Sequence, residues 1–378
     1  MTCRRDVLRT LGSLGWAPWL ARATTRVASS PPSSRLVAAW EGAGGFQIGM
    51  LTAQTQGMLR AAPSIDVPTR AHGLLALADG SVLAVARRPG DWLLRWSPGS
   101  NKPVQWQWIE SSRAFSGHVI ASPDGKRLFT TETHLETGAG LVGVRDARSL
   151  QKLDEWPTFG IDAHELLWDT SQTGRATLMV ANGGVPTQPE TGREKLALDQ
   201  MDSSLVRLDA ASGALLGQWR LADQRLSLRH LAWQSAPAEK NPLLGIALQA
   251  EHDSAAQKSR APVLALFDGS TLKPVELTTP LAGYGGAICA VQDGWAVGCP
   301  RAHGVALFGT DGSWRELIAL PHACAVATAK DGCWAGGRDE ALWTSVDAKA
   351  AKAAHRLGPD TFRLDNHWAL LPKSSRDA

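Results

Sequence analysis

Residues 118–131 read HVIASPDGKRLFTT and show the unit from which the chain is built. A histidine opens a short apolar run, Ser122-Pro123-Asp124-Gly125 makes a turn, and a second apolar run follows. An Asp-Gly pair between two such runs is a strong β-hairpin signal, because a type I′ turn needs positive φ at its central positions. The stretch therefore predicts two neighbouring strands of an antiparallel sheet.

The same pattern occurs seven times along the chain, and further strand-like runs follow the hairpins. The units begin at or near His72, His118, His164, His230, Ala287, Cys324 and His367. Four strands per unit and similar starts are typical of the blades of a β-propeller. A β-sandwich, the main structural alternative, does not explain seven similar starts.

The two ends of the chain complement each other. Residues 367–371 resemble an innermost strand with nothing after it, whereas residues 36–40, 46–51 and 58–67 are three strands without an innermost partner. Pairing them completes one blade and leaves no open sheet edge. We therefore predict an all-β fold: a seven-bladed β-propeller over residues 36–371, closed by pairing of the C-terminal inner strand with the N-terminal strands.

The N-terminus carries a pattern typical of twin-arginine export. Arg4-Arg5-Asp6 precedes a short, mildly apolar stretch, and Ala21-Arg22-Ala23 offers a small-x-small cleavage site. The stretch is too short and too polar to anchor the chain in a bilayer. We expect a signal peptide over residues 1–23, a linker over 24–35, a C-terminal tail over 372–378 and a periplasmic mature chain. A cytoplasmic protein with a chance Arg-Arg pair is the alternative.

The charge of the chain excludes two classes of partner. The formal net charge is +3, and it falls to about zero when residues 1–23 are removed. No basic field for nucleic acid and no polybasic stretch for a membrane surface is present in the sequence. We therefore expect neither a nucleic-acid partner nor, after signal cleavage, a membrane span.

A propeller places the starts of the inner strands and the ends of the second strands around one mouth of its axial channel. Five of the ten histidines occupy an inner-strand start. Arg193 lies on the long polar connection 183–203, which is a candidate lid. The predicted ligand pocket combines these positions: His72, Arg87, His118, Glu132, His134, His164, Glu165, Asn182, Arg193, Arg229, His230 and His367.

Neutral imidazoles beside carboxylates are a common ligand set for a transition metal. The first ligand candidates are His118, Glu132, His164 and His230. Glu165 follows His164 directly, so strand alternation points it to the opposite face, where it would support a ligand or pair with an arginine. Two alternatives stay open: arginines of the mouth could bind a small anion, or each histidine could simply cap the preceding loop.

Four cysteines lie in two neighbouring units: Cys289, Cys299, Cys324 and Cys333. In an oxidising compartment they could form one or two disulfides. A protein that folds before export could equally keep them as buried thiols, and spacing does not give the connectivity.

Six segments resemble the bacterial domain-of-unknown-function family DUF1513. They are RAHG (70–73), SPDG (122–125), AHEL (163–166), VANGG (180–184), TGREKL (191–196) and LRHLA (228–232). The resemblance implies an exported propeller whose gene often lies beside those of imelysin-like and di-haem-peroxidase-like proteins, and hence iron-handling partners in the periplasm. The family's Glu-Asn after the second strand of the second blade is replaced here, because Glu132 is followed by Thr133-His134.

These observations leave three functions open, and they do not decide whether the chain is an enzyme. The first is a periplasmic propeller that binds a metal ion or small anionic ligand in its axial pocket, as an accessory factor in iron or other metal acquisition. The second is a metal-dependent hydrolase of the lactonase type with a histidine as base. The third is a protein-interaction platform.

Overall fold

The computed structural model describes residues 35–53, 58–171, 174–187, 195, 197–234, 242–329, 332–345, 353–357 and 363–371. The predicted signal peptide, nearly all of the linker, the C-terminal tail and Arg193 lie outside these residues. Within the described residues there are 28 strands and one α-helix. No helix in this part of the chain has the length and apolar character needed to cross a membrane.

The strands follow one another in groups of four after an initial group of three. The first group is β1 (Arg35–Gly42), β2 (Gly45–Ala53) and β3 (Met58–Val67). The next two groups are β4 (Ala71–Ala76), β5 (Val82–Ala86), β6 (Trp92–Trp96), β7 (Gln105–Trp108), and β8 (Arg113–Ala121), β9 (Arg127–His134), β10 (Ala139–Asp146), β11 (Lys152–Ile161). They are followed by β12 (Ala163–Trp168), β13 (Thr177–Asn182), β14 (Ser204–Asp209) and β15 (Leu215–Trp219).

The second half of the chain continues in the same way. Its groups are β16 (Leu226–Trp233), β17 (Leu244–Ala250), β18 (Leu264–Phe267), β19 (Leu272–Pro274); β20 (Ala287–Val291), β21 (Gly294–Cys299), β22 (Gly304–Gly309), β23 (Trp314–Ala319); and β24 (Ala325–Ala329), β25 (Gly332–Gly336), β26 (Glu340–Ser345), β27 (Ala353–Leu357). The last strand is β28 (Arg363–Leu370). A single helical turn of residues Leu198–Gln200 lies between β13 and β14, and α1 (Ala255–Arg260) lies between β17 and β18.

Each group forms one antiparallel blade, and the seven inner strands contact one another in a closed ring. The seventh blade has the order β3-β2-β1-β28, so the last strand of the chain is its innermost strand. The predicted seven-bladed propeller and its closure are confirmed. One pairing was not predicted: Arg356 and Leu357 of β27 pair in parallel with Met58 and Leu59 of β3, which joins two blades into one eight-stranded sheet.

Tryptophan side chains form hydrogen bonds between neighbouring blades, to carbonyls near the C-terminal ends of the inner strands. The indole N–H of Trp168 donates to the Ala121 carbonyl at 2.7 Å, and that of Trp233 donates to the Trp168 carbonyl at 2.8 Å. Trp295 donates in the same way to the Ala232 carbonyl at 3.3 Å. Because each indole also buries a large apolar surface between blades, the inner strands are held at fixed positions around the axis.

The four described cysteines are free and buried. Burial raises the pKa of the Cys299 thiol and that of the Cys324 thiol to about 12. These two groups are therefore neutral thiols at physiological pH, and they contribute as apolar packing residues of their blades.

Candidate functional site

All five histidines predicted at inner-strand starts lie in β-bulges, although His118, His230 and His367 lie inside their strands and not at the first residues. The pairing register shifts across His72 in β4, His118 in β8, His164 in β12, His230 in β16 and His367 in β28. The two inner strands without such a histidine, β20 and β24, pair in regular register. Because a bulge bends a strand and changes the direction of its side chains, and occurs often beside functional sites, the bulges explain how five blades turn an imidazole towards the axis.

The five imidazoles form one compact group, here called the histidine cluster: His72, His118, His164, His230 and His367. Four of them, all but His164, each bring one ring nitrogen to within 4.8 Å of the others. The ring centres of His72 and His367 are 4.3 Å apart, and those of His230 and His367 are 4.5 Å apart. The structure therefore gathers residues from five separate blades around one point on the axis.

Hydrogen bonds fix the ring orientation of two members of the cluster. Arg229 Nη1 lies 3.4 Å from His164 Nδ1, and a guanidinium can only donate, so this nitrogen accepts. The proton of His164 is then on Nε2, which lies 3.1 Å from His230 Nε2. His230 Nε2 therefore accepts from His164, and its own proton is on Nδ1. These protonation states follow from the bonding pattern.

Glu165 supports two histidines of the cluster at once. Its Oε1 lies 3.4 Å from His118 Nδ1 and its Oε2 lies 3.4 Å from His230 Nδ1. The Leu231 backbone N–H donates to the same Oε2 at 2.6 Å. A carboxylate on Nδ1 orients an imidazole and makes its Nε2 a better metal ligand. The bulge in β12 explains why both Glu165 and the preceding His164 reach the cluster, where strand alternation alone would separate them.

Burial keeps the cluster uncharged. It lowers the pKa of His230 to about 3, and it lowers the pKa of His72 and that of His118 well below the usual range. The same cause, burial, lowers the pKa values of the two remaining members. Burial also raises the pKa of Glu165. The imidazoles are therefore neutral at physiological pH, which is the state in which histidine binds a metal.

Several nitrogens of the cluster have no hydrogen-bond partner among the described residues. They are both ring nitrogens of His72, the Nε2 of His118 and the Nε2 of His367. Leaving a buried polar atom unpaired costs about 1–3 kcal/mol. Among the described residues, these atoms and the convergence of four ring nitrogens make a group that could hold a metal ion.

Glu132, predicted as a metal ligand, lies inside its own blade and not in the cluster. Its carboxylate accepts from Arg145 Nη2 at 2.6 Å and from the Thr130 hydroxyl at 2.7 Å, and it forms an ion pair with Lys152 at 2.7 Å. The neighbouring Thr131 faces the cluster instead, because its hydroxyl donates to the His164 carbonyl at 2.9 Å. We therefore replace Glu132 and His164 in the candidate ligand set by His72 and His367.

Three more predicted pocket residues lie outside the cluster. His134 ends β9 opposite Arg113, on the same side of the strand as Glu132. The Asn182 amide donates to the Thr158 carbonyl at 2.9 Å and to the Ser204 hydroxyl at 3.2 Å. It therefore connects β13 to β14 of its own blade and to β11 of the preceding blade. Arg87 lines a cavity of about 360 Å³ at the mouth of the channel.

A buried charge network lies at the mouth, and its central carboxylate, Asp162, was not predicted from the sequence. Asp162 pairs with Arg88 and accepts from Arg229 Nη1 at 2.9 Å, while Glu251 pairs with Lys195. Asp162 has a φ of 55°, and no local motif signals that it turns towards the axis. Arg229 of this network was among the predicted pocket residues, as an arginine that could bind a small anion.

The fold and the cluster define a seven-bladed β-propeller with a histidine-lined axis. The family profile described as "Protein of unknown function (DUF1513)" matches residues 65–371, and the chain belongs to this family. No curated protein matches the chain.

Solved structures similar to this chain are propeller-like proteins of low sequence identity. Hydrazine synthase of Kuenenia stuttgartiensis is 12% identical with a TM-score of 0.59, covering 90% of this chain and 99% of that one. A functionally unknown protein from Desulfotomaculum acetoxidans is 12% identical with a TM-score of 0.57, covering 90% and 100%. Catalytically inactive virginiamycin B lyase from Staphylococcus aureus, solved with quinupristin, is 9% identical with a TM-score of 0.55, covering 82% and 94%. At these identities the likeness concerns the fold alone.

Proposed function

We propose that this protein is a periplasmic metal-binding propeller in which His72, His118, His230 and His367 hold one transition-metal ion on the axis. The observation that carries the proposal is the convergence of four ring nitrogens from separate blades within 4.8 Å. Three of these four histidines also have buried nitrogens without a partner among the described residues. A cation would satisfy one ring nitrogen of each of these three histidines.

The spacing of the four nitrogens is compatible with a metal. A tetrahedral ion with bonds of about 2.0–2.1 Å holds its ligand atoms about 3.4 Å apart. The four nitrogens already lie within 4.8 Å, so ring rotations of modest size close the difference. Imidazole ligands suit zinc, copper, iron and nickel, and the metal's identity within this group is a matter for measurement.

Glu165 supplies the negative charge that such an ion needs. Its carboxylate contacts the Nδ1 atoms of His118 and His230. With neutral imidazoles as its neighbours, burial raises the pKa of Glu165. A cation held by the same imidazoles would stabilise the ionised carboxylate, because opposite charges attract strongly where water is excluded.

His164 acts beside the metal and not as one of its four ligands. Its Nδ1 accepts from Arg229 and its Nε2 proton points at His230. When His230 Nε2 binds an ion, it can no longer accept from His164, so the His164 ring has to turn away or lose its bond. We therefore expect His164 to tune access to the ion.

Metal analysis of protein purified from the native periplasm tests the proposal. We expect one transition-metal ion per chain, lost in His118→Ala and in His367→Ala. His303→Asn is the matched control, because His303 is exposed, outside the cluster, and has a φ of 52° that asparagine tolerates. Stoichiometric metal that persists in both cluster variants, or wild-type protein that takes up no zinc, copper, iron or nickel, would contradict the proposal.

The periplasmic location and a role as accessory factor in iron or metal acquisition are part of the same proposal. The Arg4-Arg5 pair and the family resemblance support it. Export by the twin-arginine route would also allow the ion to be loaded before the folded chain crosses the membrane. In cell fractionation, the wild-type chain is expected in the periplasm and a variant with Arg4→Lys and Arg5→Lys in the cytoplasm. Equal distribution of the two chains would reject this location.

A further inference from the structure

A cavity lies on the propeller axis directly beside the histidine cluster. Its volume is about 130 Å³, and all seven inner strands contribute residues to it. Most of its surface is polar, and a polar cavity of this size holds several water molecules. Among the described residues, it shares none with the cavity at the mouth that Arg87 lines. The axial cavity is therefore a separate space that adjoins the cluster.

The histidine cluster forms one wall of this axial cavity. Three of the four proposed metal ligands, His118, His230 and His367, line it together with Glu165. The Glu165 side chain is 19% exposed, and His367 is the one ligand of the four that is only partly buried. By contrast, the described residues that line the cavity at the mouth include no histidine of the cluster. An ion bound by the four histidines would therefore lie at the edge of the axial cavity.

Two neighbouring blades contribute to the axial cavity without offering a metal ligand there. Strand β20 contributes Ala287 and Ile288, and β24 contributes Val326. Neither strand carries the bulge that turns a histidine towards the axis, and none of these three side chains can bind a metal. Because β20 and β24 contact each other in the ring of inner strands, the series of imidazoles is interrupted at this place, and the cavity reaches into the gap.

We propose that the ion keeps one coordination position open to the axial cavity, and that this position takes water or another small donor molecule such as azide. The inference rests on the proposed metal site. Zn²⁺ can expand from four to five ligands, and Cu²⁺ favours a tetragonal arrangement with axial positions, so four imidazoles leave room for a further ligand. Glu165 lines the same cavity, and its carboxylate would accept a hydrogen bond from a water bound there. A purely structural metal, closed by its protein ligands, would bind no such molecule.

Absorption spectroscopy of the copper-loaded protein during titration with azide tests the proposal. Azide bound to Cu²⁺ gives a charge-transfer band, and the copper content of each sample is measured in parallel after unbound copper has been removed. We expect a saturable band with one azide per copper. Val326→Phe narrows the cavity and should weaken azide binding about tenfold or more, while one copper per chain is retained. Val326→Ala is the matched control, because it changes the same side chain without narrowing the cavity, and it should leave azide binding intact.

If Val326→Phe does not fold, Ile288→Phe makes the same test from the neighbouring blade. Copper-loaded wild-type protein without an azide band, or unchanged azide affinity in a folded, copper-loaded phenylalanine variant, would overturn this inference and leave the proposed metal site standing. Copper that leaves the protein when azide is added would also overturn it, since azide would then compete with the imidazoles. Wild-type protein that takes up no copper would overturn both proposals, because nitrogen sites for divalent metals generally bind Cu²⁺ most tightly.

Discussion

Replacing Gly117 by alanine should damage the metal site through one carbon atom. A Cβ at this position would lie 2.5 Å from Cδ2 of the His72 ring and 3.0 Å from its Cγ. Ordinary contact begins near 3.4 Å, so the ring would have to move by about 1 Å, which is enough to misplace a metal ligand. The φ of Gly117 is +113°, and a non-glycine residue held in such a region costs about 1–3 kcal/mol.

A matched control separates ring displacement from backbone strain. Gly125 lies in the turn of the same hairpin with a φ of +68°, and a Cβ there would meet nothing within 4 Å. Gly125→Ala should therefore lower stability by about 1 kcal/mol, the smaller cost of the left-handed α region, and leave metal binding unchanged. Gly117→Ala should lower stability by more, and lower Zn²⁺ affinity about 10–100-fold, as misplaced support of a ligand does.

Competitive titration with a zinc indicator, together with urea unfolding of the metal-free protein, measures both effects. Wild-type Zn²⁺ affinity in Gly117→Ala would refute the reasoning, because the His72 ring cannot stay in place beside the added carbon. Equal loss of affinity in Gly125→Ala would also refute it, since that change does not reach the cluster.

Three further predictions concern charge and metal. Below pH 6.5 the unfolded chain protonates His230, whereas the folded chain does not, because the pKa of His230 in the folded chain is about 3. The free energy of unfolding of the metal-free protein, measured in urea, should therefore fall by about 1.4 kcal/mol for each unit by which the pH is lowered, for this residue alone. A free energy of unfolding that stays constant between pH 6 and pH 4 would contradict this prediction. Glu165→Gln should weaken zinc binding about 10–100-fold, whereas Glu132→Gln should leave zinc binding intact and cost about 3–5 kcal/mol of stability, because it leaves the buried Arg145 guanidinium without its carboxylate; a reversed pattern would reject the assigned roles. Zinc at about 100 times its Kd should stabilise the folded chain by about 2.7 kcal/mol, read as a higher Tm, and an unchanged Tm would argue against a folded-state site.

The fold could be predicted because its signals are repeated and local. Asp-Gly turns between apolar runs define hairpins, and the unmatched strands at the two ends define the closure. The pairing of β27 with β3 could not be predicted, because it involves two residues on each outer strand and no pattern in the sequence marks it.

The candidate site was predictable by position but not by side-chain direction. The five histidines share one place in the repeat, which identifies them without coordinates. Glu132 was misassigned because residues 128–132 of β9 are buried on both faces, so no alternation reveals which side chains face the axis. The direction of the Glu165 side chain depends on the bulge in β12, and that of the Asp162 side chain depends on a positive φ. Neither feature leaves a signal in a single sequence.

The most direct test of the central claim is a crystal structure of the zinc-loaded protein with an anomalous difference map recorded at the zinc absorption edge. We expect a single strong peak on the axis, about 2.0–2.1 Å from one nitrogen each of His72, His118, His230 and His367. A peak bound elsewhere on the chain, or an axis without a peak at saturating zinc, would contradict the account.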